Sequence, residues 1–202
     1  MKTRCLLRIF GLIFMMAMGL PAVTEASPGD TGPGKVQLPP PLDLKAYVEG
    51  DFVERRQDLR GHVYQGRKSE PPDEDGLPVQ GPAEARALSE LGAFNLAHGL
   101  AGEGLEALSL LELTPWPSQQ LRHASLELGL GVLDPLKRPL TERAKALLDP
   151  KYAAWRDQAL LLTLYHHREN NLAEAGRYVD LAAKRLYLYP EPVLQRALVP
   201  LM

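Results

Sequence analysis

The stretch that most constrains the fold covers residues 149–190, which have the pattern of two amphipathic helices. In the first half, apolar residues recur at helical intervals on more than one face, so this helix must be covered on two sides. In the second half they recur at steps of three and four along one face, at Leu172, Ala175, Val179, Ala182 and Leu186. The pattern predicts a hairpin of two antiparallel helices.

Polar residues at the expected helix ends support this hairpin. Asp149 followed by Pro150 fits a helix N-cap with proline at the first helical position, where its missing N–H costs nothing. Asn170 can adopt the left-handed conformation that ends a helix. Asn171 with Glu174 three residues later has the form of a capping box. These signals predict a turn at Asn170-Asn171 with a helix on each side.

The same plan recurs upstream at a regular spacing. Prolines that follow helical segments are 35 and 40 positions apart, at Pro115, Pro150 and Pro190. This is the period of stacked helix pairs rather than of a heptad repeat. Gly99 is expected to separate the two helices of the first unit. Asp134-Pro135 interrupts the second unit and leaves only a short helix near residues 140–148.

The repeats resemble the tetratricopeptide repeat (TPR) family. Matching positions in the first and third units are held by Leu91, Gly92, Gly99, Leu162, Asn170 and Ala175. Phe94, Gly104 and Thr163 depart from the family pattern, and a related half-repeat fold would give the same partial matches. For residues 83–202 the resemblance implies an all-α fold, a short right-handed α-solenoid of stacked antiparallel helix hairpins.

The last residues, 191–202, have the pattern of the first helix of an unfinished fourth unit. No polar capping helix follows, which leaves an apolar end open to pairing. Truncation of a longer repeat protein, a bound partner and self-association each explain such an end.

In the resembled family the first helices line a concave groove that holds peptide segments of partner proteins. Carried over by position, the groove residues are Arg86, Ser89, Leu96, Asp157, Leu160, Leu164, His167 and Arg168. This mixture of polar and apolar side chains suits a peptide better than a small metabolite. The alternative is that these side chains are simply solvated, or are covered by the N-terminal part of the chain.

Residues 1–26 have the order of a secretory signal peptide: basic residues, an apolar run and small residues. Cleavage is expected after Ala26. The alternative is a membrane anchor, but the apolar run after Arg8 is shorter than the roughly 20 residues of a spanning helix. Cleavage removes the only cysteine, Cys5, and changes the formal net charge from -2 to about -4. The sequence therefore predicts a periplasmic or secreted protein without a stable membrane span.

Residues 27–82 contain nine of the 18 prolines and are predicted to be mostly disordered. One island at residues 42–64 has ordered character. Leu42 and Leu44 begin an alternation typical of a strand, and Asp51 is placed to cap a short helix that ends before Gly61. Either the island folds against a partner or against the first helix of the repeats, or it is a loosely ordered extension.

No pattern of catalytic or metal-binding residues is present. The net charge and the lack of a basic stripe argue against nucleic-acid binding. A helical zinc site needs histidines four residues apart, whereas the adjacent His166 and His167 point about 100° apart. There is no phosphate-binding loop, nucleophile elbow or spaced acid pair. We therefore predict no catalytic residue, no metal and no cofactor.

Together these features predict an exported protein-protein interaction scaffold of the bacterial cell envelope that binds a protein or peptide segment. A first alternative is a structural module that assembles through its open C-terminal end. A second is an envelope hydrolase that uses His167, Arg168 and Glu169.

Overall fold

The computed structural model describes residues 36–69, 80–111 and 117–198. In these residues the chain is all-helical, with eight α-helices, three short 3-10 helices and no strand. The predicted signal peptide at 1–26, residues 27–35 and 70–79 of the proline-rich region, and the end at 199–202 lie outside the described residues.

One long helix, α1, is followed by seven helices in the region that the sequence predicts to contain repeats. The helices are α1 (Phe52–Ser69), α2 (Pro82–Ala97), α3 (Ala101–Ser109), α4 (Pro117–Leu133), α5 (Glu142–Ala146), α6 (Gln158–Arg168), α7 (Leu172–Ala183) and α8 (Glu191–Leu198). The 3-10 helices are Leu44–Tyr47, Pro150–Tyr152 and Leu186–Leu188.

The third hairpin has the turn that the sequence predicts. Asn170 lies in the left-handed region with φ 58°. The side chain of Asn171 accepts a hydrogen bond of 3.3 Å from the Glu174 N–H, so it is the N-cap of α7. Asp149 is also a cap, but the helix it begins is only the 3-10 helix at Pro150–Tyr152. The prediction of one helix from residue 150 to the turn was wrong, because the chain bends inward and buries Trp155 before α6 begins.

The first two units also have their turns where the sequence predicts them. Gly99, with φ 68°, lies between α2 and α3. After α4, the Asp134 carboxylate accepts hydrogen bonds from the Leu136 and Arg138 N–H groups and holds the break at Asp134-Pro135. The return helix α5 is then only five residues long. The predicted short helix of the second unit is confirmed.

The first helices of the three units are neighbours. Helix α2 contacts α4, and α4 contacts α6. Each of these helices also packs on the next helix of its own unit, α3, α5 or α7. Leu88, Leu108, Leu128 and Leu130 are almost completely buried between them. The core therefore follows the row α2, α4, α6.

The N-terminal island differs from its predicted form. The side chains of Leu42 and Leu44 point inward and that of Asp43 is exposed, as the alternation predicts, but Leu44–Tyr47 is a 3-10 helix rather than a strand. The prolines before Leu42 have no N–H to give to a neighbouring strand. Asp51 caps α1 through a 2.8 Å hydrogen bond from the Glu54 N–H, as predicted.

Helix α1 was expected to end before Gly61, yet it continues to Ser69 and packs along α2. The closest approach is at Gly66, where a Cβ atom would lie 2.6 Å from the Glu84 backbone nitrogen. Beside it, Arg67 Nη2 lies 2.7 Å from the buried Glu84 carboxylate. A glycine inside a helix costs only about 1 kcal/mol, and this close packing of two backbones outweighs it.

Gly66→Ala is expected to destabilise the protein by about 1–3 kcal/mol, because the added methyl group meets backbone atoms of α2 that cannot rotate away. Gly61→Ala on the same helix is the matched control. No atom lies within 4 Å of its Cβ position, so its helix propensity should stabilise the protein by up to about 1 kcal/mol. Urea unfolding followed by circular dichroism measures both. Equal effects of the two substitutions would contradict the close packing.

Candidate functional site

The segment that precedes α1 lies against the row of first helices. We call residues 36–47 the arm. Its side chains Leu42 and Leu44 belong to the core and are 7% and 1% exposed. Leu42 lies beside Gly129 of α4 together with Leu96 of α2. The arm therefore covers part of the surface that the family resemblance assigns to a bound peptide, at Leu96 and Asp157.

Three side chains of the repeats bind main-chain groups of the arm. The Leu42 N–H donates to Asp157 Oδ2 at 3.0 Å. Trp155 Nε1–H donates to the Pro40 carbonyl at 3.4 Å, and His98 Nε2 lies 3.2 Å from the Tyr47 carbonyl oxygen. Because these contacts satisfy backbone groups, they depend on the course of the main chain rather than on a particular side chain.

Two arginines contact side chains of the arm. Arg156 Nη2 lies 2.9 Å from Asp43 Oδ1, and Arg122 Nη2 donates to the Tyr47 hydroxyl at 3.3 Å. The Asp43 carboxylate is exposed, so this ion pair contributes little to stability. It favours an acidic residue at this position of the bound segment over a basic one.

Asp157 is held in place by the end of the third unit. It is 0% exposed, and its Oδ1 accepts a 2.5 Å hydrogen bond from the Tyr189 hydroxyl. Burial and the neighbouring Asp157 charge both raise the pKa of Tyr189, so this hydroxyl keeps its proton and donates it. One carboxylate oxygen thus faces Tyr189, and the other is directed at the arm.

The residues predicted to form the groove are not one exposed surface. Leu96 and Asp157 are buried beside the arm, while Leu160 and Leu164 are buried in the core. These four side chains cannot be exposed contacts for a partner, contrary to the expectation. The positions on the first helices were assigned from the repeat pattern, which contains no information about the arm that covers them.

The remaining predicted groove residues line two separate depressions. Arg86 and Ser89 lie in one of about 320 Å³ between α2 and α4. His167 and Arg168 lie in another of about 240 Å³, which α8 helps to form. Arg168 donates hydrogen bonds of 2.6 Å to the carbonyls of Gly131 and Arg138. Its guanidinium therefore connects the end of α6 to the end of α4 and to the loop between α4 and α5.

The last described helix, α8, is covered by the same chain. Its residues Val193 and Ala197 are 3% and 1% exposed, and the helix contacts α2. Arg196 lies against Gly99 at the end of α2. Val193 and Ala197 of this helix are thus buried within the chain, while residues 199–202, at the end that the sequence predicts to be open, lie outside the described part.

A buried polar cluster connects α4 and α5. Arg143 donates from Nε and Nη2 to the two carboxylate oxygens of Glu127, both at 2.6 Å, and Thr141 donates to the same carboxylate at 2.8 Å. Burial alone would raise the pKa of Glu127, but these hydrogen bonds outweigh it and lower the pKa. His123 Nε2 lies 3.1 Å from Arg143 Nη2.

His123 is only 2% exposed, and its pKa is lowered from 6.5 to about 4 by burial and by the Arg143 charge. The imidazole is therefore neutral at pH 7. Together with Arg143 it forms part of the wall of a cavity of about 620 Å³ at the start of the arm, beside Leu121 and Tyr152. Because Arg143 contacts both Glu127 and His123, the cluster is suited to holding α5 on α4.

Comparison with protein families, with characterised proteins and with solved structures finds no match for this chain. In the part of the chain that the structure describes, no helix has the length and hydrophobicity needed to span a membrane. The same residues contain no group of three or more histidine, cysteine, aspartate or glutamate side chains arranged to hold a metal ion.

Sequence reasoning missed most of the residues that hold the arm. The sequence pattern assigned Asp157 to the site, but it gave no such role to Trp155, Tyr189, His98 or Arg122. The alternation at Leu42 and Leu44 was the available signal, since it predicts a segment with one buried side. It does not identify the surface that buries that side.

Proposed function

We propose that this chain is an exported interaction protein of the bacterial cell envelope, which holds an extended segment of a partner protein along a short right-handed TPR-like solenoid. The observation that carries the proposal is the arm itself. Asp157, Trp155 and His98 bind its main chain, and Leu42 and Leu44 fill the apolar surface below. A surface that holds one extended segment in this way has the chemistry to hold another.

The packing of the helices supports the solenoid. The first helices α2, α4 and α6 contact each other in series, as they do when repeat units stack. The turn at Asn170-Asn171 and the glycine between α2 and α3 support helix hairpins as the unit. The interruption at Asp134-Pro135 shortens one return helix and leaves α4 in the row.

Export is inferred from the sequence at residues 1–26, where basic residues, an apolar run and small residues follow in the order of a signal peptide. Determining the N-terminus of the protein recovered from cells tests this step. A mature chain that begins near residue 27 supports export, and a chain that still begins with Met1 contradicts cleavage.

The binding surface can be tested by photo-crosslinking in cells that make the protein. A benzophenone amino acid is placed at Arg86, which is exposed on α2, or at Arg156, which is partly exposed just before α6. We expect both positions to crosslink the same partner, identified by mass spectrometry. Val179 of α7, which is exposed, is the control position and is expected to give no such product.

A partner that crosslinks equally well from Val179 would place the binding surface elsewhere. If Arg86 and Arg156 crosslink only to other copies of this chain, the protein is a self-assembling module rather than a scaffold for a partner.

A further inference from the structure

We propose that the arm is an internal copy of the ligand, so that the partner segment resembles it and competes with it. The segment would be extended through its prolines and would then turn at an acidic residue flanked by two leucines, as in Pro39-Pro40-Pro41-Leu42-Asp43-Leu44, where Asp43 has φ 22° and Leu44 begins a 3-10 helix. This inference rests on the proposed function, since it names the partner chemistry that the same surface selects.

The first argument is the pairing of apolar and main-chain contacts. Leu42 and Leu44 are buried while Asp43 between them is exposed, so the surface accepts two aliphatic side chains spaced by two residues. Asp157 binds the N–H of the first leucine, and Trp155 binds the main-chain carbonyl two residues before it. Together these contacts set the register of the segment.

The second argument concerns the prolines. A proline-rich segment is already extended before it binds, so it loses little conformational freedom on the surface. The Pro40 carbonyl accepts from Trp155, and proline has no N–H that would need a partner. The surface therefore favours proline immediately before the two leucines.

The third argument is charge. Arg156 donates a hydrogen bond to the Asp43 carboxylate. Burial lowers the pKa of Arg156, but this hydrogen bond and the charge of Asp157 outweigh the burial and raise the pKa. A basic residue in place of Asp43 would face this guanidinium. The partner is thus expected to carry an acidic or neutral residue between its leucines.

We expect the arm to be released without unfolding of the other helices, because the arm and helix α1 are held by different contacts. Residues 48–51 connect it to α1, and Gly50 among them has φ 87° and open space around its Cβ position. Helix α1 is fixed to α2 separately, by Gly66 against Glu84 and by the stacked rings of Phe52 and Phe94 at 5.3 Å. Because such a short connection keeps the arm at an effective concentration of order millimolar, it competes strongly with any free segment.

The test uses the full chain and a fluorescent peptide with the sequence of residues 36–48. In Leu42→Asp/Leu44→Asp the arm should be released, and the peptide is expected to bind at least about tenfold more tightly than to the unchanged chain, as fluorescence anisotropy measures. The control Ala46→Asp adds an acidic residue at an exposed arm position and should bind like the unchanged chain. A peptide with both leucines changed to aspartate should not bind.

A second measurement needs no substitution. An excess of the unlabelled peptide added to the unchanged chain should displace the arm and accelerate hydrogen exchange at the Leu42 amide, which otherwise donates to Asp157. If circular dichroism shows that the double variant is unfolded, this exchange measurement tests the proposal by itself.

The proposal is overturned if a folded double variant does not bind the peptide, or if Leu42 exchange stays unchanged under saturating peptide. A crosslinked partner segment that binds the double variant but lacks the proline and leucine pattern would also overturn it. In that last case the proposed function stands, whereas the absence of any binding segment would remove both.

Discussion

Trp155→Ala is expected to lower the free energy of unfolding by about 3–5 kcal/mol, the range for deleting a large buried aromatic side chain. Trp155 is 1% exposed, lies in the core cluster and donates to the Pro40 carbonyl. Alanine would leave a cavity next to the arm and remove one of its main-chain contacts. Urea unfolding at pH 7, followed by circular dichroism, measures the change.

Two further substitutions separate the causes. Trp155→Phe keeps most of the apolar volume and loses the N–H, so a smaller loss of about 1–2 kcal/mol is expected. Tyr187→Ala removes an aromatic ring that is 70% exposed and should change stability by less than about 0.5 kcal/mol. A loss for Trp155→Ala as small as that for Tyr187→Ala would show that Trp155 does not connect the arm to the core.

Acidification is expected to destabilise the fold through the cluster of His123, Glu127 and Arg143. The pKa of His123 is about 4 in the folded state and 6.5 as its ordinary value, so the unfolded chain takes up this proton first as the pH falls. The stabilisation is complete above pH 6.5 and declines between pH 6.5 and 4, by up to about 3 kcal/mol. Glu127 acts in the same direction at lower pH, because its pKa is lowered on folding.

The measurement is the free energy of unfolding at pH 7.5 and at pH 5, for the unchanged chain and for His123→Asn. The variant cannot take up this proton, so its stability should depend less on pH over this interval even if it is lower at both values. Equal pH dependence in the two proteins would show that His123 is not the group responsible.

Local signals predicted turns and helix caps because they act over a few residues. The left-handed Asn170, the N-cap Asn171 and the cap at Asp51 depend only on their immediate neighbours, and each is found where the sequence places it. Helix α1 was predicted too short, since its continuation past Gly61 depends on a contact of Gly66 with another helix. Sequence spacing contains no information about such a contact.

The candidate site was harder to predict because its contacts join distant parts of the chain. Leu42 and Asp157 are 115 residues apart, and Tyr189 meets Asp157 from a third segment. The repeat pattern placed Leu96 and Asp157 in an exposed groove, whereas both are buried beside the arm. The cluster of His123 with Arg143 was missed for the same reason, since only the spacing of His123 and Glu127 on one helix is visible in the sequence.

The position of the arm also determines the order in which the protein can fold. The repeat units are made of contacts close in sequence, and such contacts form early. The arm is synthesised before them, yet Trp155, Asp157 and Tyr189 must all be present before it finds its binding surface. Closing this long loop is therefore expected to be a late folding step, and until then Leu42 and Leu44 remain accessible to chaperones.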